Sequence, residues 1–465
     1  MLAQIAFEVQ VELRSTATML TRREFLESGC AAAAASGAAA LIGDAEAEVP
    51  TGESDYRALV CVVLGGGADS FNMLVPTDTL SYRLYAERRG NLALNRGDLL
   101  SLSGGDRDGR SYGLHQGMHE VHALYARGEI ALLANVGVLQ GPVRRMDANS
   151  ALELSHSDLI ARWHHGTADK RSNSGWAGRV ADVLADRGWQ GQLPTNISMS
   201  GRNVMQLGAR TVAANLQLSP YQQRSGLPVC VDFSYVNEQL AEQAISAGRP
   251  GNVRLRTRQI EKVEVESRLI VEDLVADSPL FKSPFDADSF SSDMELVARV
   301  IAARGKHEVR QQIFFVHFDG WDGHHRLLET QAMLLPMLSR GLAAFRDALI
   351  EYDALDEVTT FTISEFGRTL EPNNSGSDHG WGGHHIVMGG AVRGGQVHGR
   401  YPNLADGNTL DIGGGSFMPT TSMDEYLAEM VLWLGVPVSE LPYVLPDVSK
   451  FWSLNSGTPP LGLFT

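Results

Sequence analysis

Cysteine is almost absent from this chain. Among 465 residues only Cys30, Cys61 and Cys230 carry a thiol, which excludes a disulfide-stapled scaffold and the paired spacing of a zinc ribbon. Positive charge is scarce as well. Lys and Arg number 39 against 55 Asp and Glu, a formal net charge of −16, and such an acidic balance excludes nucleic acid or an anionic membrane as the main partner. The weakly apolar run Ser28–Gly43 is too short and too rich in Ala and Gly to serve as a stable membrane anchor. Familiar motifs are also lacking. Gly65–Ser70 has no third glycine for a dinucleotide fingerprint and no Lys-Ser/Thr for a phosphate loop. Ser416 lacks the following glycine of a nucleophile elbow, and no His-Glu-x-x-His occurs.

Glycine, by contrast, is plentiful at 48 residues, which implies many tight turns. The N-terminus reads as an address label. Thr21-Arg22-Arg23-Glu24-Phe25-Leu26 is a twin-arginine pattern, and Ala45-Glu46-Ala47 is a small-x-small cleavage site. Residues 1–47 are therefore expected to be a signal for the twin-arginine export machinery, with the remainder periplasmic or secreted. The segment 48–465 is expected to be one α/β domain. Ala58–Leu64, Ile130–Val136, Gln312–Phe318 and Val358–Ile363 are continuous apolar runs of strand length, as in a sheet buried on both faces. Helical patterns alternate with them at Met118–Arg127, Met333–Tyr352 and Met423–Leu434. Residues 200–290 fit that alternation poorly and read as an insertion or cap. Cys61, inside the first strand, reads as a small core residue.

In open α/β sheets, ligands bind beyond the carboxyl ends of the strands. The first run ends in Gly65-Gly66-Gly67-Ala68-Asp69-Ser70. The third ends in Asp319-Gly320-Trp321-Asp322-Gly323-His324-His325. The fourth ends in Ser364-Glu365-Phe366-Gly367-Arg368, shortly before the Gly-rich turn Gly376-Ser377-Asp378-His379-Gly380-Trp381-Gly382-Gly383-His384-His385. Carboxylates gathered at one edge repel unless cations or protons intervene. Mixed Asp and His ligands suit zinc, manganese or iron, whereas an all-oxygen subset suits calcium or magnesium.

These segments, with Gly66–Asn72, Ser155-His156-Ser157-Asp158, Gly389–Gly395 and Pro419–Ser422, resemble the exported bacterial "domain of unknown function 1501" family. That family is similar to the alkaline phosphatase and sulfatase superfamily. The resemblance implies a three-layer α/β/α sandwich with a mostly parallel sheet and a divalent-metal hydrolase site, zinc foremost. It implies a small or polymeric anionic ester, phosphate or sulfate, as substrate. The expected metal ligands are Asp69, Asp322, His324, Asp378, His379 and His384. Neither Cys61 nor Cys230 stands in the Cys-x-Pro-x-Arg context of a sulfatase nucleophile. Ser155 beside His156 is the preferred attacking group, with Ser70 second and metal-held hydroxide as the alternative. Glu365 and Arg368 are expected to orient groups around the ester, Arg368 by a forked contact with its anion. Two other readings stay open: a secreted binding or assembly protein that keeps the fold, and a metal-independent serine esterase.

Overall fold

The first apolar run forms strand β1, Arg57–Gly65, in which every residue after Arg57 is buried. A strand without a polar face needs cover on both sides. Ala58, Val60, Val62 and Leu64 face one core, while Leu59, Cys61 and Val63 face another. Burying each of the valine and leucine side chains fully contributes roughly 1.5–3 kcal/mol. Burial also pushes the Cys61 thiol far above its usual range, so it is inert, as a core cysteine should be.

The computed structural model describes residues 56–104, 109–142, 154–168, 172–189, 193–211, 213–217, 230–231, 281–306 and 309–465. The signal expected at 1–47 lies outside the described residues, and so does most of the insertion expected at 200–290. After β1 come β2 (Leu74–Pro76), β3 (Leu100–Ser101), β4 (Tyr112–Leu114), β5 (Ile130–Gly137), β6 (Asn196–Ser198), β7 (Ala214–Gln217) and β8 (Cys230–Val231). Then follow β9 (Gln311–Asp319), β10 (Val358–Ile363), β11 (Arg368–Asn373), β12 (Gly376–His379), β13 (Gly383–Met388), β14 (Val397–Gly399) and β15 (Thr421–Ser422). The central sheet runs β14-β5-β13-β10-β1-β9-β6-β7-β8, with β15 on β5. β1 is parallel to both β9 and β10, and β6 is parallel to β9. β13 is antiparallel to β10 and β5, so the sheet is mostly, not wholly, parallel.

The helices are α1 (Thr79–Arg89), α2 (His119–Ala126), α3 (His156–His165), α4 (Trp176–Asp186), α5 (Ser289–Ala302), α6 (Leu327–Glu351), α7 (Met423–Trp433) and the short α8 (Leu441–Val444). Side chains of α1, α2, α5 and α6 fill the first core, and those of α3, α4, α7 and α8 fill the second. The architecture is a three-layer α/β/α sandwich. Helix starts follow local chemistry: Ser422 and Glu425 form a reciprocal capping box on α7, and Asp288 caps α5. α6 begins at Leu327, earlier than its apolar pattern predicts, because Leu327 and Gln331 are also buried. Pro336 therefore lies inside the helix.

The parallel strands β10, β1, β9 and β6 end along one edge of the sheet, and their following turns carry the polar residues of interest. The segment after β10 is not a simple loop. β11 and β12 form an antiparallel hairpin in which Arg368 stands opposite His379.

Candidate metal centre

The floor of the edge is a glycine turn. Gly66 and Gly67 follow β1 with φ of 119° and 76°, a region that favours glycine. Their amides donate to Glu365 Oε1 and Oε2, each at 2.8 Å. Their carbonyls accept from Arg368, Gly67 at 2.7 Å from Nε and Gly66 at 2.7 Å from Nη2. Arg368 also donates to Ser377 O at 2.6 Å and pairs with Asp322. The guanidinium is thus occupied on every nitrogen within the protein and is fully buried. Arg368, expected to fork onto a substrate anion, here ties the β1 turn, Asp322 and the hairpin together. Glu365 likewise spends both oxygens on the turn.

The hairpin is seated by backbone bonds. Ser377 N–H donates to Gly323 O at 3.0 Å, and Leu327 N–H donates to Ser375 O at 2.9 Å. A Cβ on Gly376 would stand 2.2 Å from the His324 carbonyl, so only glycine permits this approach. His324, Asp378 and His379 are brought together as a result.

Three imidazoles then converge. His379 Nδ1 lies 2.8 Å from Leu154 O. A carbonyl can only accept, so Nδ1 carries the proton and Nε2 presents a lone pair. Burial, and after it the charges of His156, Arg368 and His324, hold His379 below the ordinary histidine range despite the Leu154 contact. Neutral imidazole is the ligating form. His324 places Nδ1 3.4 Å from Asp378 Oδ1 and Nε2 3.4 Å from Asp322 Oδ1. His156, at the first position of α3, places Nδ1 3.7 Å from Glu365 Oε1 and Nε2 4.0 Å from Asp322 Oδ2. Each ring therefore turns Nδ1 toward an oxygen acceptor and Nε2 inward. This is how ligating histidines are oriented by outer carboxylates and carbonyls.

The donor set fits a borderline divalent ion. One ligand atom from each of His156, Asp322 and His379 lies within 4.8 Å of the others. His324 Nε2 and His379 Nε2 are 3.0 Å apart. Two lone pairs at that distance, beside a carboxylate, are stable only with a proton or cation between them. Phe366 supports the rings from below, with centroids 4.8 Å from His156 and 4.3 Å from His379.

Other expected site residues stand elsewhere. The Asp69 carboxylate is wholly buried and pairs with Arg89 in a closed network with Asn72 and Gln331. Asp69, expected as a ligand, is thus placed in the core network and not beside the cluster. His384, also expected as a ligand, stands apart from the cluster as well. It lies in β13, where both faces are covered, stacked 4.6 Å from Tyr401, and its Nδ1 accepts Asn135 N–H at 3.0 Å. Ser155 caps α3, its Oγ accepting Asp158 N–H at 3.3 Å. Ser70 Oγ accepts His384 N–H at 2.8 Å in the interior. Asp378 stands behind His324 rather than beside the inward nitrogens. The sequence reading missed the Leu154 carbonyl and the Phe366 platform. A backbone acceptor leaves no trace in sequence, and Phe366 lay unremarked inside a quoted motif.

Fold and edge chemistry together define an α/β protein with a histidine–carboxylate centre at its strand ends. Residues 271–412 match the family described as Protein of unknown function (DUF1501). That span holds Asp322, His324, Glu365, Arg368, Asp378 and His379, and excludes His156. No curated protein gives a significant match. Among solved structures, Ps i-CgsB aligns with 9% identity over 85% of this chain and 76% of that one, with a TM-score of 0.34. The PsFucS1 sulfatase from Pseudoalteromonas sp. aligns with 10% identity over 79% and 71%, with a TM-score of 0.31. No helix among the described residues is long and apolar enough to cross a membrane.

Proposed function

We propose that this chain is an exported metal-dependent hydrolase of phosphate or sulfate esters, with zinc held by His156, Asp322, His324 and His379. One observation carries the metal reading: the rings turn Nε2 inward, with His379 Nδ1 bonded to Leu154 O and the Nδ1 atoms of His156 and His324 facing Glu365 and Asp378 at 3.7 and 3.4 Å. The ester class rests on the resemblance of the motifs to the phosphatase and sulfatase superfamily, and export rests on the twin-arginine pattern. When bound, the ion would supply Lewis-acid polarisation of the ester and of an attacking water.

The chain's own residues set the stage. His379 is held in one tautomer by the Leu154 carbonyl and presents Nε2 to the centre, while His156 and His324 turn Nε2 toward Asp322. Arg368 holds Asp322 in place through their ion pair, and leaves the anion to the open side of the centre. Water is the attacking group in this reading, because Ser155 Oγ is engaged in capping α3.

The test pairs zinc titration by calorimetry with a panel of aryl phosphate, phosphodiester, sulfate and carboxylate esters. Wild type should bind zinc and cleave a phosphate or sulfate ester. His379→Gln should lose more than about 100-fold in zinc affinity, beyond the cost of losing an outer partner. Zinc uptake without turnover of any ester would favour the binding-protein reading. Cleavage of a carboxylate ester without metal would favour the serine esterase. Neither uptake nor turnover would sink the proposal.

A further inference from the structure

We propose that a cavity between α6 and the start of α2 binds a small zwitterion, an amino acid or dipeptide carrying one carboxylate and one ammonium. None of its walls belongs to the metal centre, so the inference does not depend on the hydrolase reading. The space is about 520 Å³, bounded by the β3 and α2 segments on one side and by α6 on the other. Sites for small organic molecules run to about 300–1,000 Å³.

The donors on its walls suit a carboxylate. His115 is only 4% exposed. Its Nδ1 accepts the Gly117 N–H at 3.0 Å, so the ring proton sits on Nε2. Burial pushes this imidazole down to about 4, which keeps it in that neutral form. Its Nε2–H finds no acceptor among the described residues. The atom is not sealed inside as His384 Nε2 is, so it opens onto the cavity that the residue lines. Just beyond, α2 begins without a side-chain cap from Met118. Ser339 Oγ takes the Val121 amide at 3.1 Å, while those of His119 and Glu120 have no partner among the described residues. Open amides at a helix start attract a carboxylate. Arg340 spends Nε on Asp286 at 2.6 Å and keeps its two terminal nitrogens for another group.

Acceptors for an ammonium stand on the same walls. Pro336 lies inside α6 and has no N–H, so the Ala332 carbonyl loses its helical donor. Both residues line the cavity. Glu120 receives Ser339 O–H on Oε2 at 2.7 Å, and Asp98 receives Asn95 Nδ2 on Oδ2 at 3.1 Å. Each keeps its second oxygen for a charge-assisted bond. A lone anion would meet two carboxylates, and a lone cation would meet Arg340. A zwitterion satisfies both signs.

Leu100 and the Pro336 ring add apolar surface for a side chain. The ring rests so closely on the turn before α2 that a Cβ on Gly117 would stand 2.7 Å from Pro336 Cγ. A plain surface crevice needs neither a buried imidazole with an unspent proton nor a proline in mid-helix.

Calorimetry on the full chain tests the assignment with L-leucyl-L-alanine, L-leucine, 4-methylpentanoate and 3-methylbutylamine. The last two keep leucine's apolar body but lack the ammonium or the carboxylate. At least one zwitterion should bind, and whichever binds tighter identifies the source. Each half-charged analogue should bind at least about tenfold more weakly. Arg340→Gln and Glu120→Gln should each lower the zwitterion's affinity by about 10- to 100-fold, the loss of one charge-assisted contact. His115→Phe should do the same. The Arg340 side chain is 46% exposed, so its variant keeps the test open should His115→Phe not fold. Amino groups also bind zinc, so zinc-loaded and zinc-free protein should bind alike. Binding of neither zwitterion, equal binding of a half-charged analogue, no effect of Arg340→Gln, or a need for zinc would overturn the assignment.

Discussion

Asp69 and Asp322 invite comparison because each follows the carboxyl end of a neighbouring parallel strand, and each is framed by glycine and aromatic residues. The Asp69 side chain is 0% exposed, while that of Asp322 is 54% exposed. Asp69 meets Arg89, its own turn amide at Phe71, and Gln331. Arg89 in turn donates to Asn72 Oδ1 and to the carbonyls of Thr369 and Leu370. Every valence in that network is closed. Around Asp322 the partners are closed only on the outer side, by Arg368, while inward-facing nitrogens of His156 and His324 stand 4.0 and 3.4 Å away. A saturated carboxylate holds a fold together; one with acceptors to spare can hold something else.

Breaking the closed network should have the largest effect. Asp69→Asn leaves Arg89 buried without its counter-charge and should cost about 3–5 kcal/mol in urea denaturation. Asp322→Asn should cost about 1 kcal/mol or less, as expected for a half-exposed pair. Equal losses would erase the distinction between the two sites. Next in size is Gly67→Ala. A Cβ there would stand 2.0 Å from Phe366 Cε2, at a φ of 76° that other residues rarely adopt. A loss of about 2 kcal/mol should follow. Zinc affinity should fall with it, because Phe366 carries both His156 and His379. Unchanged affinity would show that the aromatic platform is dispensable.

The smallest effect concerns acid. His385 is buried against Trp163 and Tyr426, and burial pushes it from 6.5 down to about 3. It is neutral in the folded chain and takes a proton in the unfolded chain below 6.5. Its contribution is therefore complete above that pH and is lost as pH falls toward 3. Urea midpoints of wild type should drop on acidification, and His385→Phe should recover about 1 kcal/mol by about pH 5.5. His384, also pushed down to about 3 by burial and then by His385, supplies a parallel loss that the variant retains. An identical acid slope in both proteins would remove His385 from the account.

The sequence made the buried parallel strands plain, since a run such as ALVCVVL has no solvent face to hide. It also placed Asp322, His324, Asp378 and His379 at one edge. It could not separate Asp69 from Asp322, because the difference lies in Arg89, a residue twenty positions away that reads as helix surface. The β11–β12 hairpin escaped notice because Asn373-Asn374-Ser375-Gly376 interrupts any alternation, although Asn374 at φ 63° followed by Ser375 is turn chemistry. His384 looked like a ligand beside His379 because β13 begins directly after the turn. Period-two alternation then sends His384 toward Tyr401 and His385 toward Tyr426.

The bonds that assemble the centre span the chain: Arg368 reaches Gly67 across 301 positions, and His379 reaches Leu154 across 225. Contacts of such range form only when loop-closure entropy has already been met by the rest of the sheet. An unfolded chain thus offers scattered imidazoles, not a coordination sphere. On the proposed reading of an exported, metal-holding chain that folds before crossing a membrane, the ion would be chosen by the supply in the compartment where it folds. The composition of its destination then has little say, and a metal pool altered upstream should alter the protein delivered downstream.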